Sequence, residues 1–346
     1  MIENPKVSVV MPVYNGGGYL ISAIKSVLSQ TFSDFELLIL NDASTDGSFD
    51  IIEKFKDKRI YLINRKENIG LQNNLFDGFN LAKGKYIARM DQDDICHPNR
   101  FAEQVKYLEE NLEVGLCGTW CKTIGMGKYF IYKPPCNSDD IRANLLWQTS
   151  FVHPSVMMRK SLFKKFNLNY DINFKYGEDY DLWMRASDCF LTANIPKVLL
   201  FYRMHLKNTS RIFKKEMDEA AYRVRSKILK KLGIIENEEE KRLHNFLFPR
   251  EGETVAEFLK KEEKWLIKIL EANKKTHFYK TNSLNKVLYE RWRVICGKNA
   301  KKSFFVWKKY KNSLLFNIGS QKRYWDNLKI FIKCFFILFI FIISID

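Results

Sequence analysis

The chain has 346 residues, of which 46% are hydrophobic and 14% aromatic, enough apolar side chains for one large or two ordinary domain cores. A wholly disordered protein is therefore excluded. The net charge of +17 suits a polyanionic partner such as nucleic acid, an anionic membrane or a phosphorylated substrate. Residues 1–210 carry 26 basic and 24 acidic side chains, whereas residues 211–346 carry 31 and 16, so the positive charge lies mainly in the second part.

The seven cysteines are an odd number, form no Cys-x-x-Cys pair and follow no cleavable apolar segment at the N-terminus. This usage predicts a reduced, cytoplasmic chain. Cys117 and Cys121 resemble half of a zinc site, but no second pair follows at ligand spacing. We therefore expect both thiols to be buried as small hydrophobic groups.

The first 90 residues alternate short apolar runs with stretches of helical periodicity. The runs predict strands over 7–12, 35–40, 59–63 and 85–90, and the periodic stretches predict helices over 20–28, 49–55 and 72–83. Strands that alternate with helices at this spacing imply right-handed crossovers and a mainly parallel sheet flanked by helices. The predicted fold class is α/β.

The pattern is mixed from residue 95 to 210, where strands over 114–120 and 152–159 and helices over 98–111 and from Glu178 are expected. The catalytic domain is predicted to end near Ser210. Residues 211–325 are rich in Lys, Glu and Leu and predict a basic helical extension.

The final segment, residues 326–346, contains an unbroken apolar run from Phe335 to Ile343 that follows a group of basic residues. A helix that spans a bilayer needs about 20 apolar residues, so the run is short for a span. An apolar anchor beside a basic patch predicts attachment to an anionic membrane surface. The alternative is a terminal helix packed on the chain itself or on a partner.

Polar residues follow three of the predicted strands, at the point where each strand ends. They are Tyr14 with Asn15, Asn41 with Asp42, and the run Asp91–Asp94. Ligands of open α/β sheets bind beyond the carboxyl ends of the strands. We therefore expect these three segments to meet in one crevice.

The run Asp91-Gln92-Asp93-Asp94 is the strongest chemical signal. Three carboxylates packed together repel one another unless a hard cation lies between them. Mg²⁺ or Mn²⁺ held by one or two carboxylates commonly binds a diphosphate. The alternative is a solvated turn, or a cap in which Asp94 precedes the helix over 98–111.

A second acidic pair, Glu178 and Asp179, opens an amphipathic segment with Leu182 and Trp183 turned inward. Acids at a helix start are also favoured by the helix dipole alone. A carboxylate that acts as a base, placed opposite a metal-bound diphosphate leaving group, has the groups that a displacement reaction needs.

Seven motifs occur in the order seen in glycosyltransferase family 2, the inverting enzymes with a GT-A fold, and over residues 5–210 the chain resembles that family. The motifs are Pro12-x-Tyr14-Asn15, Asn41-Asp42-Ala43-Ser44-Thr45-Asp46-Gly47, Asn68-x-Gly70-Leu71, Ala88-Arg89-Met90-Asp91-x-Asp93-Asp94 (with the family's DXD motif), His153-Pro154-Ser155, Glu178-Asp179-Tyr180-Asp181-Leu182-Trp183 and Tyr202-Arg203-x-His205.

The resemblance implies a nucleotide site formed by Pro12, Tyr14, Asp42 and Asp91. In the family the aromatic residue after the first strand packs on the base, here Tyr14, and the acid after the second strand bonds the base edge, here Asp42. Asp91 lies near the ribose or behind the metal ligands. Each role suits the chemistry of its side chain.

The resemblance also assigns the metal and catalytic roles. Asp93 is the ligand that bridges Mn²⁺ or Mg²⁺ to the diphosphate, with Asp91 and His205 as further metal-site residues, although His205 is equally explained by hydrogen bonds to backbone. Asp179 is the catalytic base, supported by Glu178. Two acceptor residues are expected from their positions in the chain: His153, placed after a strand, is a candidate contact for the acceptor or the metal, and Trp183, near the base, is either an acceptor platform or a core residue.

The sequence carries no Gln-x-x-Arg-Trp motif of the processive members, so transfer of one sugar is expected. The predicted enzyme is a membrane-associated, metal-dependent hexosyl-type transferase at the cytoplasmic face. It would move a sugar from a nucleotide-sugar, a UDP-sugar by preference, to a cell-surface or lipid-linked glycan in lipopolysaccharide or polysaccharide biosynthesis.

Two other functions compete with this interpretation. The basic second part suggests a nucleic-acid-binding protein, but it forms no recognisable binding module, and no nucleic acid partner is expected. A sugar nucleotidyltransferase would share the acids at strand ends, but Gly16-Gly17-Gly18 lacks the basic residue usual in its first loop.

Overall fold

The computed structural model describes residues 4–127, 129–319 and 324–343, and for Lys302, Tyr324 and residues 336–343 it describes the backbone only. The chain divides into two compact units, Met1–Val224 (unit 1) and Arg225–Asp346 (unit 2).

Unit 1 contains a nine-stranded sheet in the order β3-β2-β1-β4-β8-β6-β9-β5, with β7 paired to β6. Strands β1 to β4 are mutually parallel where they pair, as the alternating pattern predicts, and β6 and β9 are also parallel. The other pairs are antiparallel. The strands are β1 (Val7–Val13), β2 (Phe35–Asn41), β3 (Ile60–Asn64), β4 (Tyr86–Arg89), β5 (Ile95–Cys96), β6 (Val114–Gly125), β7 (Ile131–Tyr132), β8 (Met157–Arg159) and β9 (Leu191–Met204).

Helices connect the strands of unit 1 and lie close to the predicted ranges. They are α1 (Tyr19–Leu28), α2 (Ser48–Glu53), α3 (Leu71–Leu81), α4 (Arg100–Glu110), α5 (Ser138–Asn144), α6 (Lys160–Lys165), α7 (Glu178–Ser187), α8 (Thr209–Ile212) and α9 (Lys214–Lys231), the last of which continues into unit 2. The expected α/β architecture is therefore confirmed.

The two central strands β1 and β2 are buried along their whole length, which explains why their sequences are apolar without alternation. One polar pair interrupts this core. Ser8 lies opposite Glu36 in the register of the two strands, and its hydroxyl donates to the Glu36 carboxylate. The backbone N–H groups of Lys83 and Gly84 donate to Glu36 and Ser8, so the buried acid is hydrogen-bonded.

Two local expectations need correction. The segment 152–159 is not one strand, because His153–Ser155 forms a short 3₁₀ turn before β8 begins at Met157. His153 therefore precedes a strand instead of following one. Asp94 does not cap the next helix, which begins at Arg100 with Asn99 before it.

Unit 2 is helical throughout the part that the structure describes, as expected for the basic extension. Its helices after α9 are α10 (Glu238–Asn245), α11 (Val255–Thr276), α12 (Thr281–Asn299), α13 (Phe305–Lys311), α14 (Leu314–Asn317) and α15 (Tyr324–Ile343). Capping boxes open α10, with Asn237 and Glu240, and α11, with Thr254 and Glu257. The apolar faces of α11 and α12 contribute Trp265, Leu266, Leu288 and Trp292 to the core.

The first half of α15 packs within unit 2, where Ile330 and Cys334 are buried. This packing is the alternative that the sequence left open for the terminal segment. Among the helices described, none is both long enough and apolar enough to cross a bilayer. The side chains of the predicted apolar tail beyond Phe335, and residues 344–346 entirely, lie outside the described part of the chain.

Candidate active site

The first segment of the candidate site follows β1, which ends one residue beyond Pro12. Pro12 is buried in the strand opposite Leu40, whereas the Tyr14 side chain is 49% exposed. The Gln92 amide accepts a hydrogen bond from Tyr14 N–H at 2.9 Å and donates to its carbonyl at 3.0 Å. The loop after β1 is therefore fixed to the acidic loop after β4, with an aromatic face open to solvent.

Asp42 follows the end of β2, and its N–H donates to the Val13 carbonyl at the end of the neighbouring strand. Its carboxylate is buried, and its two oxygens accept from the N–H groups of Ile69 and Gly70 at 2.9 Å each. Because each carboxylate oxygen has two lone pairs, further hydrogen bonds to a ligand remain available. The Asn68-x-Gly70 motif thus positions this acid.

The carboxylates of Asp91, Asp93 and Asp94 form a cluster in which one oxygen from each lies within 4.8 Å of the others. Asp94 is fully buried: one of its oxygens accepts from Arg203 N–H at 2.7 Å, and the other has no hydrogen-bond partner among the described residues. Burial raises the pKa of Asp94 well above its usual range, and the charges of Asp91 and Asp93 raise it further. The three negative charges are therefore only partly compensated by the described residues.

The end of β9 brings His205 and Arg203 to this cluster. His205 Nε2 contacts Asp93 Oδ2 at 2.7 Å, and the Arg203 side chain donates to the Asp93 carbonyl at 2.7 Å. Asn208 fixes the His205 segment, because its side-chain oxygen accepts from His205 N–H at 2.6 Å. The structure therefore brings together Asp93 and His205, which lie 112 residues apart in sequence.

Arg89 is a buried arginine between the two acidic groups of the sequence. Its guanidinium forms an ion pair with Asp91, and although burial opposes the charge, Asp91 raises the pKa of Arg89. Burial raises the pKa values of both Asp93 and Asp179, and the charge of the same guanidinium offsets only part of the rise. Electrostatic coupling through one cation therefore links the acidic loop to the start of α7.

The acidic pair at the start of α7 combines one buried and one accessible carboxyl group. Glu178 is 6% exposed, and burial together with the charge of Asp179 raises its pKa to about 7. Asp179 is partly exposed, and one of its oxygens accepts from Tyr180 N–H at 2.7 Å. Burial also raises the pKa of Asp179. Of the two, Asp179 is the group that a substrate can reach.

An aromatic cluster lies next to this pair. His153 Nε2 lies 3.0 Å from the Tyr170 hydroxyl, and the rings of His153 and Tyr170 lie 5.9 and 6.3 Å from that of Trp183. Burial lowers the pKa of His153 well below its usual value, so its imidazole is neutral near pH 7. Trp183 is fully buried, so it is a core residue here and offers no platform to an acceptor.

The acidic cluster fits a divalent cation. Its donors are carboxylate oxygens with one imidazole, the set that Mg²⁺ and Mn²⁺ accept, and the unpartnered buried oxygen of Asp94 lies beside them. Each of the three acids has one partner, Asp91 in Arg89, Asp93 in His205 and Asp94 in the Arg203 backbone, and each carboxylate keeps lone pairs that a cation could use.

Several residues of the site had no role assigned from sequence, among them Arg89, Gln92 and Tyr170. Arg89 and Gln92 lie inside the quoted Ala88–Asp94 motif, so the motif marked their positions but not their contacts. Tyr170 lies in a turn-rich stretch without any motif, and only the fold brings it to His153.

Comparison with known proteins identifies the family. The model of the family described as glycosyl transferase family 2 matches residues 8–166. An uncharacterized glycosyltransferase of Haemophilus influenzae is 32% identical over 250 residues, which are 67% of this chain and 77% of the relative. The chain belongs to glycosyl transferase family 2. A second relative, an uncharacterized glycosyltransferase of Methanocaldococcus jannaschii, is 33% identical over 226 residues, which are 62% of this chain and 77% of the relative.

Solved structures support the fold of this family 2 glycosyltransferase. Staphylococcus aureus TarS 1–349 in complex with UDP-GlcNAc has a TM-score of 0.55 at 16% identity and covers 95% of this chain and 89% of that one. The mannosyltransferase PcManGT from Pyrobaculum calidifontis in complex with GDP-Man and Mn²⁺ has a TM-score of 0.52 at 14% identity, with 97% and 87% covered. The expected GT-A type architecture is confirmed, and the nucleic-acid-binding and nucleotidyltransferase alternatives are not favoured.

Proposed function

We propose that this glycosyltransferase moves one sugar from a UDP-sugar to a hydroxyl group of a cell-surface or lipid-linked glycan, with inversion at the anomeric carbon. The observation that carries the proposal is that the buried guanidinium of Arg89 pairs with Asp91 and also interacts with Asp179, so it connects the two acidic groups Asp91–Asp94 and Glu178–Asp179. One group suits the leaving diphosphate and the other suits the attacking hydroxyl.

The donor class is supported by the site and by the solved relatives. The exposed ring of Tyr14 offers a flat face to a base, and the buried carboxylate of Asp42 beside it can accept from an N–H of uracil. Pro12 would contribute to the nucleotide site by shaping the end of β1, which Tyr14 follows. TarS has been solved with UDP-GlcNAc and PcManGT with GDP-Man, both nucleotide-sugars.

In the proposed reaction Asp179 takes the proton from the acceptor hydroxyl while that oxygen forms a bond to the anomeric carbon. The bond from the anomeric carbon to the diphosphate oxygen breaks, and its electron pair leaves with the nucleoside diphosphate. One in-line displacement inverts the centre. The buried carboxyl group of Glu178, next to Asp179 in the chain, affects the electrostatic potential at the base. Neutral His153 is placed to contact the acceptor.

Asp93, with Asp91 and His205, would hold Mn²⁺ or Mg²⁺. When bound, the metal supplies positive charge that stabilises the departing diphosphate. Arg203 and Asn208 hold Asp93 and His205 in position through the hydrogen bonds described above. PcManGT was solved with Mn²⁺, which supports the same class of cofactor here.

The acceptor and location follow from the second part of the chain. We propose a catalytic domain over residues 1–210, a basic helical extension over 211–325 and a tail over 326–346 that associates with the cytoplasmic face of the inner membrane. A peripheral enzyme at this surface would reach lipid-linked intermediates of lipopolysaccharide or polysaccharide synthesis. The basic charge of residues 211–346 and the apolar run 335–343 support this placement.

Two substitutions test the reaction. Asp179→Asn should lower kcat by about 10²-fold or more and leave UDP binding in Mn²⁺ intact, because it removes only the proton acceptor. Asp93→Ala should abolish transfer and also weaken Mn²⁺-dependent UDP binding. Asp50→Asn, an exposed acid of α2, is the matched control. Full activity of either site variant would reject its assignment.

The tail is tested by removing residues 336–346, which leaves the buried Ile330 and Cys334 in place. The shortened protein should leave the membrane fraction and keep its activity on a water-soluble acceptor. If the shortened protein stays in the membrane pellet, the tail is not the anchor.

A further inference from the structure

Unit 2 contains a cleft between the C-terminal half of α12 and the first half of α15, with a volume of about 420 Å³. We call it the basic cleft, because five of its lining side chains are cationic. These are Arg293, Lys298, Lys301, Lys329 and Lys333. Gly297 faces Ile330 across it, so the two helices approach closely at the floor.

The charges of the basic cleft are only partly compensated. Arg293 binds Glu290 at 2.8 Å and lies 3.7 Å from Asp326, which also lies 3.8 Å from Lys329. Two carboxylates therefore face five cations. Within the described chain, Lys298, Lys301 and Lys333 have no carboxylate partner, so the cleft keeps an excess of positive charge next to solvent.

Apolar side chains lie beside these cations on α15. Trp325, Ile332 and Phe335 are 72%, 43% and 42% exposed. Trp325 lies four residues before Lys329 and Ile332 lies three residues after it, so apolar and basic groups occupy adjoining positions on the helix surface. A helix with large apolar side chains next to lysines is typical of elements that lie in a membrane interface.

We propose that the basic cleft binds the phosphate of an anionic phospholipid, with the exposed side chains of α15 entering the acyl boundary beside it. This inference deepens the membrane association proposed above and rests on it. A phosphate matches the charge excess, and a cleft of about 420 Å³ has room for one such group. The flanking apolar surface favours a lipid over a soluble phosphate, because a soluble ligand would leave that surface in water.

The test measures sedimentation of the full-length protein with vesicles of phosphatidylcholine alone or mixed with phosphatidylglycerol. The cleft variant is Lys298→Glu, Lys301→Glu, Lys329→Glu and Lys333→Glu together. The control variant, with the same change in net charge, is Lys260→Glu, Lys264→Glu, Lys275→Glu and Lys280→Glu, all exposed lysines of unit 2. UDP binding and the melting temperature establish that each protein is folded.

We expect the wild type to bind mixed vesicles, the cleft variant to bind them more than about tenfold more weakly, and the control to stay within about twofold. Equal losses in both variants would indicate that the overall positive charge attracts the protein to the vesicles, and would overturn the proposal of a lipid site in the basic cleft. An unaffected cleft variant would overturn that proposal too. In either case the proposed membrane association itself would stand. Binding to neither vesicle by the wild type would reject both proposals. Equal thermal stabilisation by glycerol phosphate and by lipid would overturn the lipid as ligand. If the glutamates prevent folding, the same four positions changed to glutamine must still weaken binding.

Discussion

The side-chain amide of Gln92 accepts a hydrogen bond from the Tyr14 N–H at 2.9 Å and donates one to the Tyr14 carbonyl at 3.0 Å. Gln92 lies between the two acids of the proposed metal site, whereas Tyr14 presents the ring proposed to stack on the base. The two ends of a nucleoside diphosphate would therefore be bound by loops that are themselves joined.

Gln92→Ala removes both hydrogen bonds without removing any proposed ligand group. Each hydrogen bond contributes about 1 kcal/mol, so UDP binding in Mn²⁺ should weaken by about tenfold while kcat changes little. Isothermal titration of UDP measures the effect. Gln148→Ala, on an exposed glutamine, is the control, and unchanged affinity in Gln92→Ala would mean that Tyr14 does not depend on this bridge.

The rate should depend on pH through the acidic pair of α7. Asp179 must be ionised to accept a proton, and because its pKa is raised, activity should fall as the pH drops through that raised value. Glu178, with a pKa raised to about 7 by burial and by the charge of Asp179, stays protonated while Asp179 ionises and becomes charged only near neutral pH. The wild-type kcat profile should therefore carry a second inflection near pH 7, and Glu178→Gln should remove that inflection while the acidic limb stays in place.

Profiles of kcat against pH for the wild type, Glu178→Gln and the exposed control Glu113→Gln test this expectation. Loss of the inflection in both variants would indicate a general charge effect. An inflection near pH 7 that persists in Glu178→Gln would contradict its assignment to Glu178.

Unit 2 should become less stable as the pH rises, because of Glu262. This carboxyl is fully buried in α11, neither oxygen has a hydrogen-bond partner among the described residues, and burial raises its pKa to about 8. A raised carboxyl pKa contributes stability that is present below the unfolded value and lost as the pH rises through the folded one. Between pH 6 and pH 8 the free energy of unfolding should fall by about 2 to 3 kcal/mol.

Glu262→Gln keeps the shape of the side chain and removes this titration. The protection of α11 amides against hydrogen exchange, corrected for the intrinsic rate, should then be nearly independent of pH over the same interval. A variant that retains the wild-type slope would assign the pH dependence to another group, and Glu263→Gln on the same helix serves for comparison.

Arg100 should be among the most important polar residues for the stability of unit 1. It is fully buried, and its guanidinium donates to the carbonyls of Arg89 at 2.8 Å and Val156 at 3.2 Å. Arg100→Met fills similar space but removes the donors to these two carbonyls and to Gln104 Oε1, so the free energy of unfolding should drop by about 3 kcal/mol. Urea unfolding followed by circular dichroism measures this, and a loss below about 1 kcal/mol would mean that other donors replace the guanidinium.

The first half of the sheet was predictable from sequence because β1, β2 and β4 are buried on both faces, and such strands read as continuous apolar runs. The segment around His153 was harder, because a 3₁₀ turn and the three-residue strand after it have the same apolar composition as one longer strand. Composition does not separate these conformations. Only the pairing of β8 with β4 and β6 fixes where the strand begins.

The candidate site shows a similar division. The acids at the strand ends could be predicted as site residues because carboxylates directly after apolar runs are unusual. The residues that shift the pKa values of these acids could not be predicted. Arg89 occupies a strand position that sequence alone does not distinguish from an exposed one, and Tyr170 meets His153 through long-range packing. The buried position of Trp183 likewise follows from how α7 packs, since its sequence suits either a core or a surface.

The backbone of Arg203 holds Asp94 across 109 residues of sequence, and His205 holds Asp93 across 112. During synthesis the parallel strands β1 to β4 can pair long before β9 leaves the ribosome. A nascent chain would then contain the acidic loop before the contacts from Arg203 and His205 can form. The ability to bind the donor should therefore arise late, after β9 has been synthesised. Premature termination before residue 203 would leave a folded half-sheet with an unassembled centre.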